Sequence, residues 1–221
     1  MASTRDRIIT ATAELFRRQG YNGTSLKQVT LAAGAPFGSL YHGFPGGKEE
    51  LAEVVIETSG AAYRELFEVI ADAAPNIATG IGDFFDGAAL VLEETGYIDA
   101  CPIGTVALEV ASTNDRLRQA TDRVFASWVE AATERLLAAG IARDDADDLA
   151  QVMVAAIEGG FMLSRAARSP GPMRAAGRQV RRLVAAAVPP PGAVPPASAV
   201  QPAAGPRDQA SNGASAPAIG T

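Results

Sequence analysis

Residues 24–51, TSLKQVTLAAGAPFGSLYHGFPGGKEEL, constrain the fold of this chain more than any other stretch. Ser25 and Gln28 stand at the N-cap and N3 spacing of a capping box, with Thr24 as an alternative cap. Leu26, Val29 and Ala33 follow at helical spacing, so one face is apolar. Gly34 falls where a left-handed residue closes a helix, and Pro36 suits the first turn of the next. Phe44-Pro45-Gly46-Gly47 stops that second helix within about two turns. The spacing therefore predicts two short helices around a tight turn, a helix-turn-helix. Its second helix is thin enough for a DNA major groove, roughly 12 Å wide. The outward residues of that helix are Phe37, Gly38, Ser39, Tyr41 and His42. Glycine and serine permit close approach, while Tyr41 and His42 carry polar tips on flat rings.

The flanks build a domain around this unit. Arg5 to Gln19 reads as an amphipathic helix, with Ile8, Ala11 and Leu15 sharing a face with Ile9, Thr12 and Phe16. Gly20 ends it and Tyr21 packs beneath, giving a three-helix head over residues 1–48. A head of this size is marginal alone, so a fourth helix over 47–72 supports it, with Glu49 and Glu50 complementing its dipole.

Beyond the head the pattern stays helical. Segments 77–95, Cys101-Pro102 to Ala111, a helix capped by Asn114 or Asp115 and ended by Gly140, Asp144 to Arg168, and Pro172 to Ala187 each read as helices. Gly80, Gly82 and Gly87 weaken the first of these. No alternation supports a strand. The expectation is an all-α protein of about nine helices, with a larger helical domain over 49–187. Residues 188–221 hold eight prolines among Ala, Gly, Ser and Gln, and read as a disordered tail.

Bulk properties narrow the function classes. A single cysteine, Cys101, excludes an internal disulfide and fits a reducing cytoplasm. No apolar run is long enough for a signal peptide or a membrane span, so the expected setting is cytoplasmic, without a membrane. The net charge of −6 divides unevenly: residues 1–48 carry +4 and the remainder −10. A basic head on an acidic body would orient the molecule towards DNA, because the local field decides at contact distance, with ordinary scatter of surface charge as the alternative.

The order GY-x-x-TS, AG, GSLYHxFPGGKExL resembles the tetracycline-repressor (TetR/AcrR) family of bacterial transcriptional regulators. The diglycine before Lys48 is similar to the branch of the lincomycin-resistance repressors, while beyond residue 55 the chain agrees with the family in length, helical character and segments such as CPIGTVALEV. The resemblance implies that Thr24, Ser25, Lys27 and Gln28 approach a phosphate, and that Ser39, Tyr41 and His42 enter the major groove. Lys48 would reach the flanking backbone. It implies a homodimer through the last two helices on a near-palindromic double-stranded operator, a small-molecule inducer, and repressor logic in which inducer releases DNA. Two positions depart from the family: Phe37, where relatives often carry a basic or small polar residue, and Gly43, where a second histidine is common. Both bear on which DNA sequence is read.

Other chemistry finds little support. His42 is the sole histidine and has no acid nearby in sequence, so neither a catalytic triad nor a zinc site is expected. Gly46-Gly47-Lys48 lacks the first glycine and the Ser or Thr of a phosphate loop. No cofactor is expected, and a helical enzyme or a ligand-binding protein that has lost its operator are the alternatives. In the body, Phe84, Phe85, Trp128, Met153, Phe161 and Met162 read one by one as core and together as a ligand pocket. Glu158 is the polar candidate, either touching a cationic or hydroxylated ligand or, more simply, paired with an arginine. Arg165, Arg168, Arg174, Arg178, Arg181 and Arg182 read as solvated helix faces, with a second nucleic-acid surface as the alternative.

Overall fold

The computed structural model describes residues 2–190, and these form nine α-helices with no strand among them. The helices are α1 (Thr4–Gln19), α2 (Leu26–Ala32), α3 (Phe37–Gly43), α4 (Gly47–Ala73), α5 (Ile77–Glu94), α6 (Pro102–Val110), α7 (Asp115–Ala138), α8 (Arg143–Ala167) and α9 (Gly171–Ala187). Helix starts follow local side-chain chemistry. Ser3 and Asp6 close a capping box on α1, Ser25 and Gln28 close another on α2, and Asn114 accepts the Leu117 N–H at 3.0 Å to start α7. Cys101 caps α6, its sulfur accepting from Gly104, and Pro102 occupies the first turn. The expected tail lies outside the described residues except for its first three, which follow directly on α9.

α4 links the two ends of the molecule. Its 27 residues span about 40 Å at 1.5 Å per residue. Leu51, Ala52, Val55 and Ile56 on its first half join a core with Ile8, Phe16, Val29, Leu40 and Phe44 of the head. That core continues into Ile103 and Val106 of α6 and Leu117 of α7, so the head rests on three body helices rather than one. Phe67 and Ala71 on the second half of α4 join another core built from α5, α7, α8 and α9.

Close helix contacts explain glycines that look unfavourable in sequence. A Cβ at Gly80 would come within 2.7 Å of the Ala71 backbone, and one at Gly177 within 2.5 Å of Phe85. Gly80 thus lets α4 approach α5, and Gly177 on α9 lets that helix approach α5, so tertiary packing outweighs a propensity cost of about 1 kcal/mol each, whereas Gly87 faces open space. Of the six arginines read as solvated on the last two helices, Arg168, Arg178, Arg181 and Arg182 are exposed, while Arg165 and Arg174 are half-buried. Arg174 pairs with Glu93 at 2.7 Å, and Arg165 donates to the carbonyls of Tyr97 and Ile98 at 3.3 and 3.1 Å.

Candidate nucleic-acid interface and ligand cavity

The turn between α2 and α3 forms as the residue types require. Ala33 ends α2, Gly34 takes a left-handed φ of 57°, and Pro36 precedes α3 in extended conformation. Arg7 on α1 donates to the Ala33 carbonyl at 3.1 Å, which fixes the end of α2 against the head. Leu40 and Phe44 are fully buried and anchor α3 from beneath.

The opposite face of α3 is open. Phe37 and Tyr41 are each about half exposed and pack edge-to-face with ring centroids 5.6 Å apart. Gly38 has open space around it, His42 is exposed, and Ser39 is half-buried. An exposed aromatic pair costs solvation, and a surface that meets a partner explains it better than a surface that meets only water.

The residues expected near a phosphate separate into two kinds. Ser25, Lys27 and Gln28 are exposed at the start of α2, with the Gln28 side chain accepting the Ser25 N–H at 2.8 Å. Thr24, expected beside them, is buried at 2% exposure. Its hydroxyl donates to the Gly20 carbonyl at 2.7 Å and it accepts from Gln19 at 3.3 Å. That threonine holds the loop after α1 and is withdrawn from the surface. Lys48 is half-buried, its ammonium 4.2 Å from the centre of the Tyr21 ring, and burial lowers its pKa.

In the body, α4, α5, α7, α8 and the segment before α6 enclose a cavity of about 360 Å³. Of the residues named as a ligand pocket from the sequence, Phe84, Trp128, Met153, Glu158 and Phe161 line it. Phe85 and Met162 do not. Adjacent residues on a helix point about 100° apart, so Phe85 turns into the core at 0% exposure and Met162 turns outward at 57%. Glu158 also differs from expectation, for it makes no ion pair among the described residues and meets the Cys101 thiol instead.

Several lining residues carry no local sequence signal. Tyr63 lies deep enough that burial pushes its hydroxyl up to about 12, and burial raises the Glu158 carboxyl to about 7. Cys101 is pushed well above the usual thiol range, chiefly by burial and then by the neighbouring Glu158. Arg17, a head residue on α1, also reaches the wall, where it pairs with Asp99 at 3.3 Å. The Arg17 carbonyl accepts from Ala100 at 3.3 Å, so the head and the cavity share a boundary.

Comparison with known proteins bears on both ends of the molecule. Residues 8–55 match the model of the bacterial regulatory proteins of the tetR family, and residues 78–179 match the C-terminal domain of LmrA/YxaF-like transcriptional regulators. The HTH-type transcriptional regulator YxaF of Bacillus subtilis strain 168 is 34% identical, over 82% of this chain and 95% of its own. The chain belongs to the TetR family. Its similarity to the HTH-type transcriptional regulator LmrA of the same strain is also 34%, over 77% of this chain and 90% of LmrA. Among solved structures, the regulatory protein TetR of Rhodobacter sphaeroides superposes with a TM-score of 0.75 at 21% identity, covering 82% of this chain and 99% of that one. This TetR-family chain is thus a DNA-binding transcriptional regulator and not an enzyme. Membership brings operator DNA, a dimeric binding unit and a ligand as its partners. No described helix is long and apolar enough to cross a membrane.

Proposed function

We propose that the chain is a cytoplasmic, homodimeric repressor that a small molecule releases from its operator. The head is residues 1–48 and the ligand-binding and dimerisation body is residues 49–187. In this reading Phe37, Gly38, Ser39, Tyr41 and His42 enter the major groove, while Ser25, Lys27, Gln28 and Lys48 meet phosphates. Phe84, Trp128, Met153, Glu158 and Phe161 meet the inducer. Val152, Met162 and Leu163 of α8 and Leu183 of α9 are exposed apolar side chains, and they supply the face on which two copies pack.

One observation carries the proposal: the cavity wall includes Arg17, a residue of the head's own first helix. A ligand that prefers one position of Arg17 and Asp99 thereby prefers one attitude of the head, and the population shifts accordingly. Two heads engage successive major grooves only when their recognition helices stand about one helical turn apart, roughly 34 Å. A gel shift with the DNA upstream of the chain's own gene tests the reading. A retarded band that Tyr41→Ala weakens is expected. Failure of the unmodified chain to shift any such fragment would count against operator binding.

A further inference from the structure

Charge is matched throughout the cavity wall except at one carboxyl. Arg17 meets Asp99 at 3.3 Å, and Arg64 meets Glu68 at 3.1 Å and Glu130 at 3.0 Å. Glu158 has no cation among the described residues. Its side chain lies against Gly104 at the start of α6 so closely that a Cβ there would collide with it. The polar group it meets is the Cys101 thiol.

The rest of the wall is mostly carbon, and five rings stand in it: Tyr63, Phe67, Phe84, Trp128 and Phe161. Phe67 and Phe84 meet edge-to-face at 5.3 Å, and Tyr63 and Trp128 at 6.1 Å. The indole N–H of Trp128 is committed to the Gly60 carbonyl at 2.9 Å, so that ring brings no free donor. An anionic ligand would find both arginines already matched and would be repelled by Glu158. A neutral hydrocarbon would leave the carboxyl buried against carbon, which is costly. A cation answers both features, because aromatic faces attract it and the carboxylate supplies the counter-charge.

We propose that this cavity takes a hydrophobic organic cation, an aryl or bulky alkyl ammonium. Its nitrogen sits against Glu158 and its apolar body lies among the rings of Phe84, Trp128 and Phe161. The inference names the ligand class for the inducer cavity and rests on that regulatory reading.

The cavity's ionisation adds a pH signature. The titratable and charged groups that share the wall with Glu158 are Cys101 just before α6, Tyr63 and Arg64 on α4, Arg17 on α1 and Asp99 before α6, and Arg64 is held by Glu68 and Glu130. Cys101 and Tyr63 stay neutral near pH 7, since burial raises both, and Arg17 and Asp99 compensate each other. Glu158, at about 7, is then the wall group that changes charge between pH 6 and 8. A bound cation selects the ionised carboxylate and releases its proton.

The chain's single tryptophan lies in the wall, so its fluorescence reports occupancy. The test titrates the full chain with benzyltrimethylammonium, with its neutral carbon isostere neopentylbenzene, and with the anion 3-phenylpropionate. Saturable quenching by the cation at least about tenfold tighter than by the isostere is expected, strengthening about tenfold from pH 6 to pH 8 as Glu158 ionises. Glu158→Gln should abolish both differences while keeping the isostere's affinity, and Glu158→Asp should keep part of the preference for the cation. Equal binding of cation and isostere, cation preference surviving in Glu158→Gln, or no saturable quenching by the cation overturns the proposal. An operator gel shift with the same probes separates the two readings. Cation-selective binding without operator release leaves the ligand class standing and refutes the inducer role. Release by the neutral or anionic probe instead does the reverse.

Discussion

Arg17 and Asp99 form an ion pair at 3.3 Å across 82 residues of sequence, and both face the cavity. The pair joins the last turn of α1 to the segment entering α6. Arg18 reinforces it, donating to the other Asp99 oxygen at 3.2 Å. Any ligand that displaces Asp99 therefore pulls on the head directly.

Asp99→Asn keeps the shape of this junction and removes its charge. Operator affinity without ligand should change little, while the ligand-induced loss of affinity should shrink by about 1 kcal/mol, roughly fivefold. The check is operator Kd measured with and without ligand in both proteins. An undiminished ligand effect in Asp99→Asn would show that coupling runs elsewhere.

On the DNA side, Lys27 is exposed at the start of α2 and Tyr41 at the open face of α3. Lys27→Ala should weaken binding to all DNA sequences alike and lower the slope of log K against log salt by about 1. Tyr41→Ala should cost about 1–3 kcal/mol on the operator and less on random DNA. Filter binding at several salt concentrations distinguishes the two patterns.

Thr24 makes the opposite prediction. Its hydroxyl bridges the Gly20 carbonyl and the Gln19 amide inside the loop after α1. Thr24→Val should destabilise the fold by about 1–2 kcal/mol by leaving that carbonyl unpaired, yet leave operator affinity per folded molecule intact. Urea unfolding beside a gel shift checks this, and a selective loss of DNA binding would return Thr24 to the interface.

Glu158 sets a pH dependence of stability in the ligand-free protein. Its folded pKa of about 7 lies above the ordinary value of 4.5, so between these limits the native state holds a proton that the unfolded state has lost. Native stability from this group therefore falls as pH rises from about 4.5 to about 7 and levels off above that range. The difference in Tm between Glu158→Gln and the unaltered chain should widen in favour of Glu158→Gln across that window. A pH-independent difference would mean that Glu158 is already ionised when the cavity is empty.

Sequence reasoning found the head because its determinants are local. The Ser25–Gln28 capping box and the Gly34 turn are read within a few residues, and each has the geometry its residue type dictates. Even there a choice between neighbours needed the fold. Thr24 and Ser25 are both competent caps, and only the position of the Gly20 carbonyl draws Thr24 inward. In the body, helical periodicity located α8 but did not fix its phase closely enough to separate Phe161 from Met162. On α5, glycines among the apolar residues blurred the contrast between Phe84 and Phe85.

By itself, then, the sequence determined the all-helical class, the helix-turn-helix and the family resemblance, because short-range hydrogen bonding and helical periodicity are written into adjacent residues. Tertiary structure decided which residues enclose the cavity, that Arg17 of the head joins its wall, and that Glu158 lies buried without a cation among the described residues. A cavity is the space left by helices that meet far apart in sequence, and a carboxyl's pKa depends on the water those helices exclude. Neither quantity exists until the chain has packed.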